Sequence, residues 1–268
     1  DSPGGTYAAG HLNAVYRACG LAAVEEAGGT LNRNFAQREA DLPDARVAKH
    51  ITYTAYLDDA DAVISFCKLK SHGMLALSAA TKNLFGAIPG TIKPEYHYRY
   101  PDPMDFAGML IDLNEHFRPR LYLVDAVVAM EGNGPTQGSA RPIGCLIAAQ
   151  SAHKLDLAAC GVIGLTPGEV PTLTAAIRRG LCPDSAERLK LFGDPAAFTV
   201  PDYKTVPSQA SVFFRSGGKG PVARLADSFL FHVLTPYPRL CARDCIGCKK
   251  SANICPAKAI TMKNGKPQ

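Results

Sequence analysis

Four cysteines fall within the fifteen residues 241–255: Cys241, Cys245, Cys248 and Cys255, the last followed by Pro256. Thiols gathered so closely in a reducing compartment point to metal rather than disulfide. The stretch CIGCKKSANICP (245–256) follows the run C-x2-C-x2-C-x3-C-P, which binds a [4Fe–4S] cluster, except that Ser251 stands at the third ligand position. The other five cysteines, Cys19, Cys67, Cys145, Cys160 and Cys182, are scattered singly and read as small buried hydrophobes.

A second group of residues suggests anion chemistry. In FCKLKSHG (66–73), strand alternation places Lys68 and Lys70 on one face at the strand's C-terminal end, with His72 just beyond. Open α/β sheets bind their ligands at that end. Lys82 and Asn83 follow beside the turn GAIPG (86–90). Ammonium groups and an imidazole in one crevice would make a receptor for carboxylate or phosphate. The bland alternative leaves the lysines in solvent and gives His72 the task of capping a turn. A third group lies in VDAVVAMEGNGPTQG (124–138), with Asp125 inside an apolar strand, Glu131 at its end, then Asn133 among glycines that let backbone approach a ligand. Asp125 needs a partner there, and a lysine of the first group would supply it. The aromatic and basic stretch KPEYHYRYPDP (93–103) reads as a solvated loop with rings packed beneath it.

Standard catalytic signatures are absent. The sequence has no G-x-S-x-G elbow, no G-x-G-x-x-G after a strand and no zincin histidine pair. RSGGKG (215–220) lacks the first glycine and the closing Ser or Thr of a phosphate loop. An ordinary hydrolase, NTPase or Rossmann dehydrogenase is therefore not expected.

The elements that would position these groups alternate. A helix is expected over 7–19, stopped by Gly20, and a buried strand over 61–69. A helix follows Asp102 as cap and Pro103 in its first turn, ending before Pro119. Strands are expected over 120–130 and 142–150, joined by the turn-rich EGNGPTQGSAR, and a helix runs from Ser151 to about Ile163. SVFFR (211–215) reads as a strand and GPVARLADSFLFHVL (220–234) as a helix, with TPYPRL as a hinge. This is an α/β sandwich with a mixed, largely parallel sheet over residues 1–234, followed by a small ferredoxin-like cysteine segment over 235–268. The chain begins at a loop of the kind that follows a strand and ends without a stop signal, so it reads as a piece of a longer protein.

The 268 residues are 47% hydrophobic and 20% charged, an ordinary globular balance. No apolar run is long enough to span a bilayer, and a membrane protein is not expected. The net charge of +5 is concentrated in residues 239–268, where seven basic side chains stand against Asp244 alone. That tail suits an anionic cluster or an acidic redox partner. No aromatic residue lies within it, which argues against nucleic acid.

DSPGG (1–5), KLKSHGMLALSAATKNLFGAIPG (68–90), KPEYHYRYPD (93–102) and MEGNGPTQGSARPIG (130–144), with the cysteine tail, resemble the iron–sulfur proteins catalogued as domain of unknown function 362. The resemblance implies an α/β domain joined to a [4Fe–4S] module and supplies no reaction. On a two-cluster plan, Cys245 and Cys248 share one cluster with a cysteine beyond residue 268, and Cys255 serves the other. Alternatively Cys241 replaces the ligand missing at Ser251, completing a set of four. A zinc site is the third reading, because Cys245-x2-Cys248 is also a zinc half-site. The order of His72, Lys82 and the Pro89-Gly90 turn also resembles the catalytic domain of nickel-dependent lactate racemases. The leading expectation is a cytoplasmic [4Fe–4S] electron-transfer protein, with a redox partner and an α/β domain that binds a small anion. The alternatives are a non-redox ligand-binding or metal-dependent enzyme domain with a structural tail, and a docking module for an acidic partner.

Overall fold

The computed structural model describes residues 2–90, 92–208, 245–249, 261–263 and 265–267. The chain divides into two compact units, residues 1–211 and 212–268. The boundary expected at 234/235 lies outside the described residues, as do the expected strand over 211–215 and helix over 220–234.

In the first unit, helices α1 (Ala9–Ala18) and α2 (Ala22–Glu26) precede an antiparallel pair, β1 (Gln37–Asp41) and β2 (His50–Thr54). The main sheet comprises β3 (Ile64–His72), β4 (Ala76–Ser78), β5 (Leu121–Asn133) and β6 (Gln137–Ala149), in the order β4-β3-β5-β6. Only β3 and β5 run parallel; β3–β4 and β5–β6 are antiparallel. The sheet is mixed, as expected, but it is not largely parallel. The long sequence between β3 and β5 makes the one crossover, while three-residue turns join the other pairs.

Helices α3 (Ala80–Asn83), α4 (Ile92–Arg99), α5 (Pro103–Phe117), α6 (Ala152–Val162) and α7 (Pro171–Arg178) complete the unit. Asp102 accepts from the amides of Met104 and Asp105, and Ser151 accepts from Lys154, so both expected caps are in place. The stretch 93–103 is not the expected loop. Pro94 falls in the first turn of α4, where a missing N–H costs nothing. The turn-rich EGNGPTQGSAR is also largely strand, leaving only residues 134–136 between β5 and β6.

Helices α3 and α6 contact the sheet, and α5 packs against α3 and α7. Leu69, Val124 and Ala126 are fully buried, as are Phe106, Met109, Leu110, Ile111 and Leu113 of α5. Alternation along β3 and β6 leaves Ile64, Phe66 and Leu146 more than half exposed.

The carboxylate of Asp112, on α5, accepts from the amides of Arg46, Val47 and Ala48 at 3.2, 2.7 and 2.8 Å. It also pairs with the Arg179 guanidinium at 2.6 Å. Arg179 in turn donates to the Gly108 carbonyl, and a side chain at Gly108 would strike Val47. One buried carboxylate thus ties the loop before β2, helix α5 and the end of α7. Asp112→Ala leaves three amides without their acceptor and a largely buried guanidinium without its counter-charge. It is expected to destabilise the fold by about 3–5 kcal/mol, read as a lowered urea midpoint.

Candidate functional site

Lys82 from α3 and Lys93 and His97 from α4 gather around Phe85, and Lys82 and His97 also reach Phe106. Lys70 and His72 of β3 lie near enough for charge to couple them to this group. The Lys82 ammonium lies 5.1 Å from the Phe85 ring centre and 5.9 Å from that of Phe106. The Lys93 ammonium lies 5.9 Å from the same Phe85 ring centre. The His97 ring stacks on Phe106 at 4.5 Å and meets Phe85 edge-on.

Local structure fixes each group. His72 is buried, and its Nδ1 accepts from the amides of Met74 and Leu75 at 3.1 and 3.3 Å. It does cap the β3–β4 turn. An Nδ1 that accepts leaves the proton on Nε2, so the ring remains a donor toward anything beside it. Helix α3 has no side-chain cap of its own. Its first amides, of Ala80 and Thr81, donate to buried Asp156 of α6 at 2.7 and 3.1 Å. Asn114 donates to the Thr81 carbonyl, and Asn83 donates to the Ser65 hydroxyl and the Phe66 carbonyl. The backbone on both sides of Lys82 is therefore pinned.

The N-terminal loop closes on the same region. Ser2 donates its amide to the Gly86 carbonyl, and its hydroxyl accepts from Gly90 at 2.6 Å. Gly90 comes so near the loop that an added Cβ would lie 2.1 Å from the Gly5 carbonyl. Lys93 donates to the carbonyls of Ser2 and Ile88.

The electrostatics are one-sided. Burial, and then the charge of Lys70 and Lys93, pushes Lys82 down to about 8. Burial likewise lowers Lys93 to about 8. His97 falls to about 4 through burial and Lys82. His72 falls to about 2 through burial and the charges of Lys82, His97 and Lys70. No carboxylate contributes to any of these shifts, and among the described residues none lies within ion-pairing distance of Lys70, Lys82 or Lys93.

The remaining expected residues stand elsewhere. Lys68 pairs with Asp125 at 2.6 Å, so that carboxylate does have its lysine partner. The hydrogen bond from Lys68 lowers the Asp125 pKa, and Lys68 itself is half exposed. Glu131 is buried and accepts from the Lys204 amide, with Arg141 at 3.8 Å. Asn133 donates to Gln137 across its hairpin. The glycine loop approaches the protein's own backbone: a Cβ on Gly134 would lie 2.0 Å from the Ser71 carbonyl. Sequence reasoning missed Lys93 and His97 because it read their segment as a loop. Their i, i+4 spacing beside Pro94 was the available signal.

Of the four cysteines, Cys241 and Cys255 lie outside the described residues. Cys245 is half-buried and Cys248 exposed, both as free thiols. Between them Gly247 takes φ 69°, and a side chain there would sit 2.7 Å from the Gly265 carbonyl. A tight loop that bears two thiols and excludes a Cβ fits half of a cluster or zinc site.

A family model described as a domain of unknown function, DUF362, matches residues 1–161. The thylakoid-associated protein sll1697 of Synechocystis sp. PCC 6803 is 35% identical over 162 residues, covering 60% of this chain. The chain spans about half the length of that relative. No solved structure matches. Among the described residues no helix is long and apolar enough to cross a membrane.

The two depressed imidazoles have a measurable consequence. The unfolded chain takes up their protons near pH 6.5, before the folded chain does. Their contribution to stability is whole above that pH and declines as pH falls toward about 4. Asp156, raised to about 6 by burial, works the other way as pH falls below 6. Urea midpoints across this range should fall less steeply for His97→Gln than for the unaltered protein. Identical slopes would show that His97 is not held neutral.

Proposed function

This chain belongs to the DUF362 family of domains of unknown function, and for it we propose an α/β domain that receives a small anion, joined to a tail that holds a [4Fe–4S] cluster and passes electrons. The anion would sit among Lys70, His72, Lys82 and Lys93. One observation carries this reading: Lys82, Lys93, His72 and His97 share a desolvated, aromatic-lined region beside Lys70, and among the described residues no carboxylate lies within ion-pairing distance of the three lysines. Like charges held together cost stability, and a bound carboxylate or phosphate removes that cost while accepting their hydrogen bonds.

The cysteine tail supports the second half of the reading. Cys245 and Cys248 would hold one side of the cluster, with Cys241 and Cys255 as the further candidates. A bound cluster supplies one-electron transfer. The clustering of the tail cysteines suits metal in a reducing, cytoplasmic compartment. The basic tail would suit an acidic redox partner.

Titration calorimetry with inorganic phosphate and with succinate tests the receptor. At least one should bind, and Lys70→Gln should weaken it by about 10- to 100-fold, the range for a hydrogen bond to a charged group. Binding unaffected by Lys70→Gln would remove the site from this position. Iron and acid-labile sulfide after anaerobic reconstitution test the tail. Near-equal amounts of both are expected, lost in Cys245→Ser with Cys248→Ser; zinc without sulfide would support the structural-tail alternative.

A further inference from the structure

We propose that Lys82 is a covalent nucleophile, forming an imine with a small carbonyl compound whose carboxylate or phosphate is held by Lys70, Lys93 and His72. The inference rests on the anion receptor proposed above and adds a reaction to it.

The lysines of the cluster are not equivalent. Lys93 is committed to two backbone carbonyls, of Ser2 and Ile88. That geometry suits a fixed cation. Lys82 makes no hydrogen bond and no ion pair among the described residues; its contacts are the faces of Phe85 and Phe106. Aromatic faces attract an ammonium but do not accept its protons as carbonyl oxygens do. Lys82 as a residue is half-buried rather than sealed in the core. Its backbone is tied on either side by hydrogen bonds to Asp156 and Asn114 and through the side chain of Asn83. A desolvated amine beside a second cation is the arrangement that activates lysine toward carbonyls.

The groups facing Lys82 are Lys70 and His72 of β3 and Lys93 and His97 of α4. With its proton released to solvent, the Lys82 Nζ lone pair attacks the carbonyl carbon. A C–N bond forms, the carbonyl π pair moves to oxygen, and an amine proton follows to give a carbinolamine. Loss of that hydroxyl as water leaves the C=N bond. No oxidant or reductant is consumed.

The test is reductive trapping. The full chain is incubated with pyruvate or with glycolaldehyde phosphate, treated with cyanoborohydride and mapped by peptide mass. A single reduced adduct on Lys82 is expected, absent in Lys82→Arg and unchanged in Lys68→Gln, with circular dichroism confirming that both variants fold. Trapping should rise about tenfold per pH unit below 8 and level off above it. Whichever compound is trapped identifies the anion. Adducts spread evenly over surface lysines, or none at all, would overturn the proposal. Succinate or phosphate binding that persists without an adduct would leave the receptor standing, whereas loss of both would sink the two readings together.

Discussion

Asp156 is the constraint on which the candidate site depends. Helix α3 is four residues long, too short to persist by its own hydrogen bonds, and Ala79 before it carries no capping oxygen. The carboxylate of Asp156, reaching from α6, accepts the two amides that a cap would have taken. His153, one turn earlier, meets the Thr81 hydroxyl at 3.2 Å. The sheet, α5 and α6 all hold residues flanking Lys82, and only its side chain is left to the site. The cost falls on Asp156, whose burial raises its carboxyl to about 6 despite the hydrogen bonds it accepts.

The same economy of charge runs through the rest of the domain. Asp112 is buried but accepts from three amides and a guanidinium, so none of its oxygens is left without a partner. Lys68 and Asp125 neutralise each other at the edge of solvent. The group around Phe85 departs from this pattern, because Lys82 and Lys93 are desolvated together and no acid among the described residues lies within ion-pairing distance of them. Natural folds tolerate such local conflict where a site needs it. The N-terminal loop contributes directly: Ser2 both supports the Gly90 turn and accepts from Lys93.

Much of this was legible from residue patterns. The helix after Asp102, the helix after Ser151 and the strand carrying Lys68, Lys70 and His72 all rest on local rules of capping and alternation. The Lys68–Asp125 pair followed from the cost of an unpartnered carboxylate in a strand. The loop over 93–103 was a misreading, since Pro94 and alternating tyrosines obscured a short helix. Within EGNGPTQG, Gly134 is required by its close approach to Ser71, a constraint that no pattern within the segment encodes.

The sequence by itself determined that this is a mixed α/β chain with a cysteine-rich basic tail, because periodicity, caps and cysteine spacing are local properties. It also marked Lys70, His72 and Lys82 as candidates. The tertiary structure decided their partners: Lys93 and His97 join Lys82 around Phe85, while Lys68 pairs with Asp125, Glu131 accepts from Lys204 and Asn133 donates to Gln137. It also decided the sheet order, in which a single parallel pair is flanked by antiparallel strands. These depend on contacts between residues far apart in the chain, such as Asp156 with Ala80 and Ser2 with Gly90. Only the folded core, by excluding water around Phe85 and Phe106, turns separate lysines into one electrostatic site.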